Sequence, residues 1–174
     1  MHAQGMSAAA RDAAAGPAYV VTVSTLLRRP LFLDPDAARA VARRQSESSI
    51  WAQSRCLAWV LLPDRWQGLV VLAAGDSLKA LVRRFKQVSA RGVEARFRIN
   101  GWLWANDFTV RVLGSNEQPL IVARRMVGTP VRVGLAASIG AYPYWNAVWL
   151  DPVAAKPQPG GDLLSGSPAN TMTG

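Results

Sequence analysis

The chain has 174 residues, half of them hydrophobic, and its 17 arginines and three lysines against 11 acids leave a formal charge of +9. That length and apolar content suit one domain with a single core and tails. No apolar run reaches the roughly 20 residues that span a bilayer, and a single cysteine, Cys56, excludes an internal disulfide and fits a reducing cytoplasm.

Met1 to Gly16 is rich in alanine and glycine, with one arginine, Arg11, and no continuous apolar stretch. It reads as a flexible leader, neither a signal peptide nor an anchor. Residues 18–25 are β-branched and alternate, which predicts a strand. Arg28-Arg29-Pro30 breaks it, and Leu31-Phe32-Leu33 is a short apolar stretch. Asp34-Pro35-Asp36 then marks a helix start, with Asp34 as cap and proline at the first helical position. This helix is expected to run to about Ser48, with Arg39 and Arg43 on one face.

Residues 55–62 and 67–73 predict two further strands, and Pro63-Asp64 makes the tight antiparallel turn between them. Gly75-Asp76-Ser77 caps a long helix over 77–97. Leu78, Leu81, Val82, Phe85 and Val88 form its core face at helical spacing, and Lys79, Arg83, Arg84, Lys86 and Arg91 decorate the rest. After a turn at Asn100-Gly101, Phe108 to Leu113 predicts a fourth strand and 117–127 a third helix. Pro130 and Gly134 bound a loop, and Ala141 to Leu150 is an aromatic-rich closing segment. From Pro152 the composition predicts a disordered tail. The folded domain is placed at 17–151. Its order is the α+β, ferredoxin-like split β-α-β pattern, a mainly antiparallel four-stranded sheet with helices packed on one face.

An excess of this size in so small a domain attracts polyanions, most simply nucleic acid. Arginine makes bidentate contacts to phosphate and stacks on bases.

Six segments, in order, match one family. Leu31-Phe32-Leu33-Asp34, Ala58 to Asp64, the basic helix Ser77 to Lys86, Gly101-Trp102-Leu103-Trp104 with Phe108 and Arg111, Pro130 to Leu135, and Tyr142-Pro143-Tyr144-Trp145 together resemble the IS200-like, REP-associated tyrosine transposases. The match covers about residues 18–150. The resemblance implies a fold, a substrate of hairpin DNA with flanking single strands, and a nicking site. That site uses two strand histidines, spaced by one residue, to hold a divalent metal such as magnesium, and a helix tyrosine that attacks the phosphate.

Mapped residue by residue, the histidine positions fall on Arg65 and Gln67, and the tyrosine position on Arg125. A guanidinium has no lone pair for a metal and repels one, and one amide oxygen is not a site. The sole histidine, His2, is in the leader. The resemblance therefore implies no catalytic residue, no metal and no cofactor. Tyr19, Tyr142 and Tyr144 read as core or rim aromatics, Asp64 as a turn former, and Cys56 as a buried inert thiol.

What remains is DNA binding, single-stranded or hairpin, without a membrane partner. Arg65 and Arg125 face the place where phosphate and metal meet in the family. Lys79, Arg83, Arg84 and Lys86 on the helix over 77–97, with the tryptophans Trp66, Trp102 and Trp104, offer a second surface on which bases stack and the backbone is tracked, and Arg111 and Arg132 are further nucleic-acid-binding candidates. Trp66 is the tryptophan expected to be most exposed, and Trp59 and Trp149 are expected in the core. Two other readings stay open: an active transposase with a displaced site, and a non-catalytic interaction module or decaying gene product.

Overall fold

Strand β1 (Ala18–Ser24) is an inner strand of a five-stranded sheet. It pairs on one side with β4 (Thr109–Val112) and on the other with β3 (Arg65–Val71), which pairs in turn with β2 (Arg55–Leu62). Every pairing is antiparallel, and with β5 (Trp145–Ala147) at the far edge the order is β4-β1-β3-β2-β5. The insertion of β3 between β1 and β2 is the split β-α-β arrangement that the element order predicts. This structure is a computed structural model that describes residues 17–97 and 102–149. The leader, the Asn100-Gly101 turn and the tail lie outside the described residues.

The fifth strand, β5 (Trp145–Ala147), was not among the four expected. It comes from the aromatic closing segment, whose Trp145 pairs with Val60 and whose Ala147 pairs with Ala58. The addition covers the edge of β2, which would otherwise present unpaired backbone groups. β3 starts two residues earlier than its sequence pattern suggests, because the Pro63-Asp64 turn pairs Leu62 directly with Arg65.

Helix α1 (Pro35–Arg44) begins as its sequence predicts: the Asp34 carboxylate accepts from the backbone N–H of Asp36 at 2.8 Å and of Ala37 at 3.0 Å. It stops four residues short of Ser48. The carbonyl of Gln45 is taken by the Trp51 indole N–H at 2.7 Å, and a separate turn of helix, α2 (Ser48–Trp51), follows. The long helix α3 (Leu78–Phe97) is capped by Ser77, whose Oγ accepts from Ala80 N–H at 3.2 Å.

These three helices cover one face of the sheet. Val21, Val23, Leu61, Trp66 and Val70 pack there against Val41, Ile50, Leu81, Phe85 and Val93. An aromatic row runs through this core: Trp66 stands 4.4 Å from Phe85 and 6.3 Å from Trp51, and Phe85 stands 5.4 Å from Trp104. Burying each such large side chain contributes about 1.5–3 kcal/mol.

The helices are not confined to that face. Helix α4 (Pro119–Val127), continued by the single turn α5 (Thr129–Arg132), covers the opposite side. Its Ala123, Met126 and Val127 pack on Ala18, Leu57, Ala58, Val60, Leu62, Leu69 and Val71. The reason is visible in β2, which is apolar at successive positions and so offers a surface to bury on both sides. Among the described residues, no helix is long and apolar enough to cross a membrane.

Candidate nucleic-acid interface

Strand alternation sorts the residues of β3. Trp66 and Val70 face α3, and Leu69 and Val71 face α4. By the same parity Arg65 and Gln67 are on the α4 side. Their partners across the ladder are Ser24 and Thr22 on β1. Arg111 on β4 stands opposite Val20 and so shares that side. The helix carrying Arg125 packs on the same side. The structure therefore brings Arg65, Gln67 and the helix that carries Arg125 to one face of the sheet.

Each is held differently. Gln67 Nε2 donates to Thr22 Oγ1 at 3.2 Å. Arg65 donates to one oxygen of Asp64 at 2.8 Å, and Arg28 donates to the other, also at 2.8 Å. Asp64 is thus more than a turn former: one carboxylate orients two guanidiniums, which leaves this corner with a net positive charge. Arg111 donates to Glu117 at 2.6 Å. The Glu117 carboxyl is held below the ordinary range by the Gly114 N–H, then by Arg111, with a smaller contribution from the Arg125 charge. Arg125 is exposed on α4, and among the described residues its guanidinium has no hydrogen-bond partner.

The donor set at Arg65 and Gln67 does not fit a divalent cation. It consists of a paired guanidinium and an amide engaged with a hydroxyl, and the carboxylates of Asp64 and Glu117 are each spent on arginines. Among the described residues, no three of His, Cys, Asp and Glu gather in a metal-binding group. Two of the three tyrosine hydroxyls are engaged with backbone carbonyls. Tyr142 donates to the Leu61 carbonyl at 2.6 Å, and burial pushes its pKa up to about 12. Tyr144 reaches the Pro35 carbonyl at 3.5 Å, and Tyr19 packs against the α3-side core. Cys56 is half-buried rather than fully buried, its Sγ donates to the Ala58 carbonyl at 3.4 Å, and burial pushes its thiol pKa up.

The second expected surface changes more. Trp66 is fully buried rather than exposed, and Trp104 is buried as well. The exposed tryptophan is Trp102, at 57%. Trp59 and Trp149 are half-buried at the margins of the two cores. Arg84 turns inward: its guanidinium grips Asp76 at 2.6 and 3.2 Å, and its Nε donates to the Ile50 carbonyl at 2.9 Å. Lys86 donates to the carbonyls of Ala105, Asn106 and Asp107 at 2.7–3.1 Å, and burial lowers its pKa. Arg132 closes the end of α4, donating to the Arg125 carbonyl at 2.6 Å and to Thr129 Oγ1 at 2.7 Å. These three side chains hold the fold together. Lys79 and Arg83 stay exposed, beside an open groove of 590 Å³ with Gln87, Asn106 and Phe108. That groove lies on the α3 side, across the sheet from Arg65.

Arg28 belongs to the site and was read from sequence only as a strand break. Its role depends on the ends of β1 and β2 meeting at Asp64, for which no local sequence signal exists.

Among solved structures, the chain is similar to a REP-associated tyrosine transposase bound to a REP hairpin, with a TM-score of 0.58 and 18% identity over 91% of this chain and 94% of that one. The chain has the fold of a REP-associated tyrosine transposase. A provisionally assigned transposase from Deinococcus radiodurans also aligns, at a TM-score of 0.45 and 18% identity over 70% of this chain and 93% of that one. No family model and no curated protein matches the sequence. In this transposase fold, Arg65 and Gln67 occupy the central strand and Arg125 the helix that crosses behind it.

Proposed function

We propose that this protein binds DNA as a transposase derivative that holds single-stranded or hairpin DNA without cutting it. One observation carries the reading. The face of the sheet that would bear the family's metal and nucleophile bears Arg65, Arg28 and Arg125 instead, with Arg65 and Arg28 both held on Asp64. Guanidiniums neutralise a phosphate and hydrogen-bond its oxygens in a fork without any metal. They do not supply a nucleophile. Arg111, beside Arg125 through Glu117, extends the cationic face toward β4. The solved structure with this fold that is bound to a REP hairpin supports a hairpin as the form of DNA to test. The cellular setting that fits is the cytoplasm, where one free cysteine stays reduced.

The test is a gel shift with single-stranded hairpin and duplex DNA at two salt concentrations, run beside a cleavage assay with magnesium or manganese. The expected outcome is salt-sensitive binding that prefers the hairpin with single-stranded flanks, and intact DNA after incubation. A metal-dependent nick or a covalent protein–DNA adduct would overturn the non-cutting part. Equal failure to bind either DNA would overturn the whole reading.

A further inference from the structure

At the same corner as Arg65, the chain leaves β1 through a turn with unusual backbone. Leu27 has φ +56° and Arg28 φ +55°, two successive non-glycine residues in the left-handed region. Such conformations persist only where the surroundings impose them, and they concentrate at functional sites. Here the surroundings are rigid. Thr25 is fully buried, its N–H donates to the Asp64 carbonyl at 2.9 Å and its Oγ1 to the Arg29 carbonyl at 2.7 Å. Leu26 N–H donates to the Leu103 carbonyl at 3.0 Å, and Thr25 bridges Trp104, so the segment carrying Trp102 runs alongside the turn.

What this rigid support displays is apolar. Leu27 is 83% exposed, the highest value among the exposed large hydrophobic residues described. Trp102 and Leu33 are further large apolar groups near this turn that face water, and Trp102 is the one with an aromatic face to stack on a base. A strained turn does not hold a leucine in water for the sake of stability. Around it stand Arg28, Arg29 and Arg65. A ligand that meets an apolar tip ringed by guanidiniums must itself carry anionic groups around an apolar, planar interior. Nucleic acid opened at a base step has that character: phosphates outside, base faces within.

We propose that the Leu26–Arg29 turn is a wedge: Leu27 enters the step where a DNA stem meets its single-stranded flank, Trp102 stacks on the freed base, and Arg28 and Arg65 hold the adjoining phosphates. This rests on the DNA-binding reading above and assigns the part of the DNA that the corner contacts. Apolar side chains inserted between base steps unstack them in just this manner elsewhere in protein–DNA recognition.

The experiment uses the full chain and a hairpin carrying 2-aminopurine as the last base of the stem, beside a single-stranded flank. Binding by the wild-type protein raises the fluorescence severalfold as the base unstacks. Leu27→Asn, whose new side chain tolerates left-handed backbone, melts no earlier than wild type and loses the rise even at saturating protein. Val148→Asn, at an exposed apolar position near β5, keeps it. A rise retained by Leu27→Asn, or wild-type binding without any rise, overturns the wedge while leaving DNA binding intact. Concentration-dependent self-association that Leu27→Asn abolishes, with no fluorescence change, also overturns it, because the turn then meets a second copy of the chain. Wild-type protein that binds no DNA overturns both proposals.

Discussion

The indole of Trp66 lies over the α carbon of Gly68, two residues further along β3: a methyl group at position 68 would sit 2.0 Å from Trp66 Cη2. Side chains two apart on a strand share a face, so a full indole folded along the strand needs the next position on that face to be empty. Gly68→Ala is expected to lose roughly 3 kcal/mol of stability in urea unfolding, because the ring is locked between Trp51 and Phe85 and has nowhere to retreat. In the double variant with Trp66→Leu the two penalties fall well short of additive. Additive penalties would show that the ring is free to move.

Asp76 and Arg84 tie the start of α3 to the end of α2. The Arg84 guanidinium hydrogen bonds hold the Asp76 carboxyl down to about 2, from an ordinary 3.8, with Ser54 and Ser77 helping. The folded pKa is the lower one, so the stabilisation is complete above about pH 4 and disappears as the pH falls toward 2. The difference corresponds to about 2 kcal/mol. Asp76→Asn should unfold more readily at pH 6 and show a flatter stability curve between pH 4 and 2 than wild type. Parallel acid curves for the two proteins would count against the link.

Lys86 and Arg125 are both basic, and the structure gives them opposite jobs. Lys86→Met, which removes three carbonyl contacts, is expected to cost about 2 kcal/mol of stability and to leave the salt dependence of DNA binding unchanged. Arg125→Ala is expected to alter stability by no more than about 0.5 kcal/mol. It should reduce the slope of log K against log salt by about one. Paired melting curves and salt titrations separate the two.

Ala52 follows α2 with φ +52° and ψ −113°, a backbone open to glycine and disfavoured for other residues. It is exposed, so its methyl group contributes little packing. Ala52→Gly is expected to stabilise the protein by about 1 kcal/mol, seen as a rise of several degrees in Tm. An unchanged or lower Tm would mean that the backbone relaxes away from this conformation in solution.

Most of the sheet was legible because its strands carry their own signals, alternation in 18–25 and the Pro63-Asp64 hairpin, and the first helix was legible from its cap at Asp34. Strand β5 was not, since three residues acquire strand geometry only by lying against β2. The side taken by α4 was not either. Ala123, Met126 and Val127 mark an apolar stripe, but the stripe does not say which face of the sheet it meets. Trp66 was misread although its position was deducible. It shares parity with Val70 on the α3 face, and a glycine two residues on is the vacancy that an indole requires. Arg83 and Arg84 are neighbours in sequence, and only the position of Asp76, eight residues from Arg84, decides which of them turns inward. The gathering of Arg65, Gln67 and the helix that carries Arg125 on one face, by contrast, was implied by the family resemblance before any coordinates.

The carboxylate shared by Arg28 and Arg65 has a consequence for affinity. On the proposed DNA-binding reading, Asp64 is a resident anion that competes with an incoming phosphate for these two guanidiniums. Binding at this corner is then an exchange of counterions, and its strength is a difference between two similar attractions. Removing the occupant, as in Asp64→Asn, should tighten the grip on any polyanion while loosening the choice among them. On that reading, discrimination at this corner would come from the protein's own acid as much as from its arginines.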